Sequence, residues 1–333
     1  MIQLNKRYVI GVHVMWYEIE MFSDYISGLL NVIKMIKNTE NIYFDFMLNL
    51  SEHLEMVNTE LISMNGIKEK FLLQIGRISL VANNIQINIL PHSPTLYFHT
   101  DYRRDVNYRY CGVVDYIIQG ETDSFMPKEG LQAIETLAQF TDEQNIHRYI
   151  MSFADRKMWD ESWNPTVHVD YEKLAFTDGP DSHLNKNQAK SQLSIEEMNK
   201  INSKITDFEF IMIPYTKIDG SFLVISSELI KSGVNVPLCM LYNDDEGIGI
   251  SYNQLYGKSN NVRQYICKNL LKVHARRHPQ KRMYVKDEDN EYSFIDKKGN
   301  AFQTFKKLSQ ENIQALHSGK NKFHTYEDLK KLI

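Results

Sequence analysis

The chain has 333 residues, 43% of them hydrophobic, with 38 basic and 42 acidic side chains and a formal net charge of -4. That is enough apolar material for one large core, or a core with a small appended lobe, and the near balance of charge excludes a surface that binds polyanions as a whole. Cys111, Cys239 and Cys267 have no CxxC spacing, which excludes a disulfide framework or zinc knuckle, and no apolar run approaches the roughly 20 residues that cross a bilayer. The expectation is a soluble, cytoplasmic protein without a membrane span.

Residues 8–14 are apolar and rich in β-branched side chains, and read as a strand. A helix over 22–37 follows from the spacing of Phe22, Tyr25, Ile26, Leu29, Leu30 and Ile33. Strands are expected at 42–50 and at 85–90, the second stopped by Pro91. A polar, tyrosine-rich stretch then precedes a strand at 113–118, which runs into Gly120-Glu121-Thr122-Asp123. Pro127 suits a first helical turn, and Leu131, Ile134, Leu137 and Ala138 predict a helix over 128–140. Strands that alternate with helices point to an α/β fold with a mainly parallel sheet. Residues 151–200 are polar and turn-rich, an expected irregular and mobile insertion. Strands at 208–214 and 221–225, a short helix at 226–231 closed by Gly233, and Asn243-Asp244-Asp245-Glu246-Gly247 come next. The last fifty residues predict a hairpin around Lys297-Lys298-Gly299-Asn300 and a terminal helix, together an accessory lobe.

The first acidic motif sits where open α/β sheets bind ligands, outside the carboxyl end of a strand. A carboxylate there can hold Mg2+ or Mn2+ against a diphosphate, since hard oxygen ligands suit those ions. Taken alone, Thr122-Asp123-Ser124 fits a cap of the following helix equally well or better. In the second motif, Asp244, Asp245 and Glu246 are adjacent, so mutual repulsion can raise one proton affinity into the range of a general base; a solvated turn ending at Gly247 is the plainer alternative. His274 and His278 would share one face if their segment were helical, and no glutamate stands between them to make a zinc-hydrolase motif. Lys258, Arg263, Lys268, Lys272, Arg276, Arg277, Lys281, Arg282 and Lys286 follow one another with no acidic residue between them. They read as a diphosphate clamp, a track for a nucleic-acid backbone, or a solvated face.

Three segments together resemble the GT-A glycosyltransferases, particularly family 2. Val9-Ile10-Gly11-Val12-His13-Val14-Met15-Trp16-Tyr17-Glu18 resembles that family's first strand and donor loop. Arg103-Arg104-Asp105-Val106-Asn107, then residues 112–123, resembles the segment leading into its DxD motif, and residues 220–230 resemble the stretch before its catalytic acid. The resemblance covers about residues 8–250. It implies a Rossmann-like GT-A domain with a nucleotide-sugar-binding half at 1–127, an acceptor half at 128–257 containing the insertion, and a basic C-terminal segment at 258–333.

The resemblance further implies transfer of a hexosyl or pentosyl unit from a nucleoside diphosphate sugar, UDP-linked by expectation, to the hydroxyl of a glycan or other acceptor, with inversion. Asp123 would hold the metal, with Glu121 in place of the first Asp of DxD, and His274 or His278 as a further ligand. Tyr17, Glu18, Asn49, Arg103, Arg104, Glu121, Thr122, Arg276 and Arg277 would surround the donor. Asp245 would be the base, Asp244 its partner, and Glu246 the alternative after a one-residue slip. The basic run leaves open a hydroxymethylated pyrimidine of DNA as acceptor, and a non-catalytic nucleotide- or DNA-binding protein is the reading from another class.

Overall fold

The computed structural model describes residues 1–50, 64–91, 97–156, 161–172, 193–213, 218–238, 240, 243–274, 284–286, 292–294, 299–320, 324–325, 327–328 and 331. The apolar opening forms β1 (Tyr8–Met15), buried along its whole length as a strand covered on both faces must be. α1 (Phe22–Ile33) turns Phe22, Tyr25, Ile26, Leu29 and Ile33 into the core and ends with the last of these, short of the expected residue 37. Then come β2 (Ile42–Asn49), α2 (Met64–Ser79), β3 (Asn84–Leu90), α3 (His99–Tyr110), β4 (Tyr116–Gly120), β5 (Ser124–Phe125), α4 (Gly130–Glu143) and β6 (Ile150–Ala154). The chain continues through α5 (Ile195–Asn202), β7 (Phe210–Ile213), β8 (Leu223–Ser226), α6 (Ser227–Lys231), α7 (Asp244–Tyr256), β9 (Gln264–Leu271) and β10 (Val273–His274). It closes with β11 (Tyr284–Lys286), β12 (Tyr292–Phe294) and α8 (Gly299–His317).

Eight strands form one sheet in the order β3-β2-β1-β4-β8-β6-β9-β7. β3, β2, β1 and β4 run parallel; β8 is antiparallel to both β4 and β6, β9 is parallel to β6, and β7 closes the far edge antiparallel. The fold is therefore the expected α/β type, a mixed, mainly parallel, Rossmann-like sheet flanked by helices. On one face Phe22, Ile26, Phe71, Leu131 and Ile134 pack on Ile10, Val12, Phe44 and Ile118. On the other, Val106, Leu229, Ile248 and Tyr252 pack on Val9, Ile117, Ile225 and Ile266.

Four details differ from the sequence expectation. The tyrosine-rich stretch is α3, which buries Tyr102, Val106 and Tyr110 at four-residue spacing together with the polar Thr100, Asp101, Arg103 and Asn107, so its apolar stripe is narrow and weakly announced. The insertion expected at 151–200 begins inside the central strand β6, whose five residues are all buried; of the rest, 157–160 and 173–192 lie outside the described residues. The strand expected at 113–118 is shifted to Tyr116–Gly120, with Val113 and Val114 in the turn after α3. Finally, the segment at 258–333 is not all appended: β9 lies within the main sheet. The C-terminal hairpin is β11 paired with β12, and Gly299 opens α8 instead of a turn.

Candidate active site

The end of β4 delivers the first acidic motif. Gly120 is required there: a Cβ would stand 2.1 Å from the Tyr25 hydroxyl oxygen, whose ring is stacked on Phe222 at 5.8 Å. After Glu121-Thr122-Asp123 the chain enters the two-residue strand β5, which pairs antiparallel with β10, so that Ser124 faces His274. This pairing carries a late histidine onto the acidic motif. His274 Nε2 lies 3.0 Å from a Glu121 oxygen and 3.4 Å from an Asp123 oxygen. His274 is a strand residue, so the helical condition under which it would share a face with His278 is not met there.

One carboxylate oxygen from each acid and one imidazole nitrogen thus lie within 4.8 Å of one another. Hard oxygens with one imidazole suit Mn2+ or Mg2+, so the residues fit the divalent cation that the sequence implies. Asp123 is buried, and Glu121 is about a quarter exposed. Burial works against the Glu121 carboxylate, but Arg103 and His274 hold its proton affinity below the ordinary value.

Arg103 connects the two acidic motifs. Almost wholly buried on α3, it donates from one guanidinium nitrogen to Glu121 at 2.8 Å and from another to Asp244. His99 lies 2.9 Å from the second Asp244 oxygen. Burial opposes the charge on Asp244, yet Arg103 and His99 hold it well below the usual carboxylate range. Its neighbour Asp245 goes the other way: burial, with the charges of Asp244 and Asp219, pushes it up to about 7. Both acids stand in the first turn of α7, where the helix dipole favours negative charge. Asn243 enters that helix with φ +65°, a left-handed conformation that Asn tolerates. The alternative of a solvated turn therefore gives way to a helix start, with Asp244 4% exposed. Gly220 lets the pieces close: a Cβ there would stand 2.7 Å from Arg103 Nη1 and 3.2 Å from Asp245 Cβ.

The remaining candidates divide. Thr122 donates to Glu18 at 2.8 Å, fastening the loop after β1 to the acidic motif. Tyr17 lies in the adjoining short helix Trp16–Glu18. Asn49, at the end of β2, donates to the carbonyl of Tyr97 at 2.9 Å and lies 3.1 Å from His13. Arg104 turns from the acids and pairs with Asp101 at 2.7 Å on its own helix. Glu246 lies near His317 of α8, at 3.6 Å. Arg276, Arg277 and His278 lie outside the described residues. Within the basic run, Lys272 is wholly buried, and Lys268 faces the Val167 carbonyl and Glu172 rather than forming an open track.

Residues outside the two acidic motifs complete the arrangement: Arg103, already a sequence candidate, and beside it His99 from α3, Asp219 before β8, and Lys272 between β9 and β10. Lys272 was visible in the sequence as one cation of the basic run, with Leu270, Leu271 and Val273 beside it. Asp219 stood in an Asp-Gly pair that reads as a turn.

No protein-family model and no curated protein matches the chain. Among solved structures it is similar to S. aureus TarS 1-349, at 13% identity and TM-score 0.44, over 81% of this chain and 60% of that one. A mycobacterial protein gives 7% identity and TM-score 0.41 over 87% and 83% of the two chains. The WbbM bifunctional glycosyltransferase gives 10% and 0.31 over 99% and 50%. Among the described residues, no helix is long and apolar enough to cross a membrane.

Proposed function

We propose that the chain is a glycosyltransferase that moves a hexosyl or pentosyl unit from a nucleoside diphosphate sugar, a UDP-sugar in the first instance, to an acceptor hydroxyl with inversion. The observation that carries this reading is the convergence, at the carboxyl end of β4, of a metal-type donor set with a separate acid of near-neutral proton affinity. Two adjacent acids whose surroundings drive their proton affinities apart mark a division of roles. Asp244, held ionised by Arg103, serves structure and field; Asp245 serves proton transfer.

Asp123 and His274, with Glu121, are the residues that would hold Mn2+ or Mg2+. When bound, the cation neutralises charge on the departing diphosphate. Asp245 accepts the proton of the acceptor hydroxyl as that oxygen bonds to the anomeric carbon and the bond from that carbon to the diphosphate breaks. Arg103, fixed between Glu121 and Asp244, keeps the metal side and the base side in register. The acceptor is read as a glycan or other hydroxyl compound. The inward placement of Lys268 and Lys272 removes support for a DNA track from that part of the basic run.

The test is release of nucleoside diphosphate from a panel of sugar donors with and without Mn2+. Metal-dependent release, lost by at least about 100-fold in Asp245→Asn with donor binding retained, supports the assignment. Donor binding with no turnover on any acceptor or water would favour a non-catalytic nucleotide-binding protein.

A further inference from the structure

The turn before β8 places a carboxylate beyond both acidic motifs. Asp219 is 3% exposed. Its Oδ1 accepts the Ser221 backbone N–H at 2.7 Å and lies 3.1 Å from the Lys272 ammonium. Lys272 is itself pinned, donating to the Ser221 carbonyl at 2.6 Å and to the Ser221 hydroxyl at 2.8 Å. Asp219 is thus held from the side away from the motif. Its other oxygen, Oδ2, lies 2.9 Å from His274 Nδ1.

That contact decides how His274 can act. A carboxylate at Nδ1 accepts a hydrogen, so with a cation bound the ring carries its one proton there and offers the Nε2 lone pair to a metal shared with Glu121 and Asp123. Asp155, Asp219 and His274 also lie within 4.8 Å of one another and suggest a second cation position. A cation there would compete with the Lys272 ammonium for Asp219 and with the hydrogen on Nδ1. The contacts instead make Asp219 an acceptor for His274.

We propose that Asp219, locked by Lys272 and Ser221, is a positioning residue that fixes the tautomer and ring orientation of His274 toward a divalent cation shared with Glu121 and Asp123. This rests on the metal-binding part of the proposed function and is independent of the donor and the acceptor. Removing the carboxylate frees the ring to rotate and to place its proton on Nε2. Partners of this kind contribute about 10–100-fold to metal affinity.

The experiment titrates Mn2+ alone into the full chain and follows free Mn2+ by electron paramagnetic resonance, for the wild type, Asp219→Ala, Asp219→Asn and His274→Ala. In parallel, 15N-histidine spectra of the proteins loaded with diamagnetic Mg2+ report the His274 tautomer. The expected result is an Nδ1-protonated His274 in the wild type, a mixed tautomer in Asp219→Ala, and Mn2+ affinity lower by about 10–100-fold in that variant. Asp219→Asn, which keeps an acceptor oxygen, should recover part of the loss and serves if the alanine variant does not fold. Affinity and tautomer unchanged in a folded Asp219 variant, with His274→Ala weakened, would overturn the positioning role alone. A wild type that binds no Mn2+, or a His274→Ala variant with full affinity, would overturn the metal reading together with it.

Discussion

Replacing Asp245 with Asn should stabilise the protein, and only above mildly acidic pH. The Asp245 carboxyl is pushed from an ordinary 3.8 up to about 7 by burial and by Asp244 and Asp219. The folded state therefore holds this proton more tightly than the unfolded chain does. Below about pH 4 both states are protonated and the group makes no difference. As pH rises from about 4 to about 7 the unfolded chain ionises first, stability falls, and the cost levels off once the folded state ionises too. At about 1.4 kcal/mol per tenfold, the ceiling is about 4 kcal/mol. Asp245 is partly open to solvent, and screening reduces the expectation to about 2 kcal/mol. Urea unfolding of the wild type and Asp245→Asn, with EDTA present, measures it directly. Asp245→Asn should be about 2 kcal/mol more stable at pH 8 and nearly equal at pH 4. A difference that does not vary with pH, or a variant that is less stable at pH 8, would refute the electrostatic picture of the acid pair.

Two further substitutions test how the site is held. Gly120→Ala places a methyl 2.1 Å from the Tyr25 hydroxyl oxygen; unfolding should show a loss of about 1–3 kcal/mol, partly recovered in the double variant with Tyr25→Phe, because the next atom stands at 3.0 Å. No recovery would place the strain elsewhere. Arg103→Met leaves Asp244 buried with one basic partner fewer, so denaturant unfolding should register a loss of about 3–5 kcal/mol, reduced when Asp244→Asn is added. A loss below about 1 kcal/mol would mean that the bridge contributes no more than a surface ion pair.

How much of this was legible in the sequence follows from what each element buries. β1, β2, α1 and α4 bury apolar side chains at regular spacing, so period alone reveals them. α3 buries Asp101, Arg103 and Asn107 for the site alongside Tyr102, Val106 and Tyr110 for the core, and its low share of apolar residues lets a hydrophobic count pass over it. The same count passes over Asp219 and Lys272. Glu121 and Asp123 were visible as acids at an expected strand end and Asp245 as part of an acidic run, but the grouping of the first two with His274 comes from the β5–β10 pairing, a contact between distant parts of the chain that no local pattern encodes. Arg103 and Arg104 were equivalent as letters; helical geometry turns one to Glu121 and the other to Asp101.

The most direct measurement of the central claim is thermal unfolding against a panel of nucleoside diphosphates and their sugars, with and without Mn2+, for the wild type and Asp123→Asn. A ligand held by the native state raises the melting temperature. The account expects a Mn2+-dependent rise with at least one diphosphate sugar that Asp123→Asn abolishes; a wild type that no diphosphate donor shifts under either condition would contradict it.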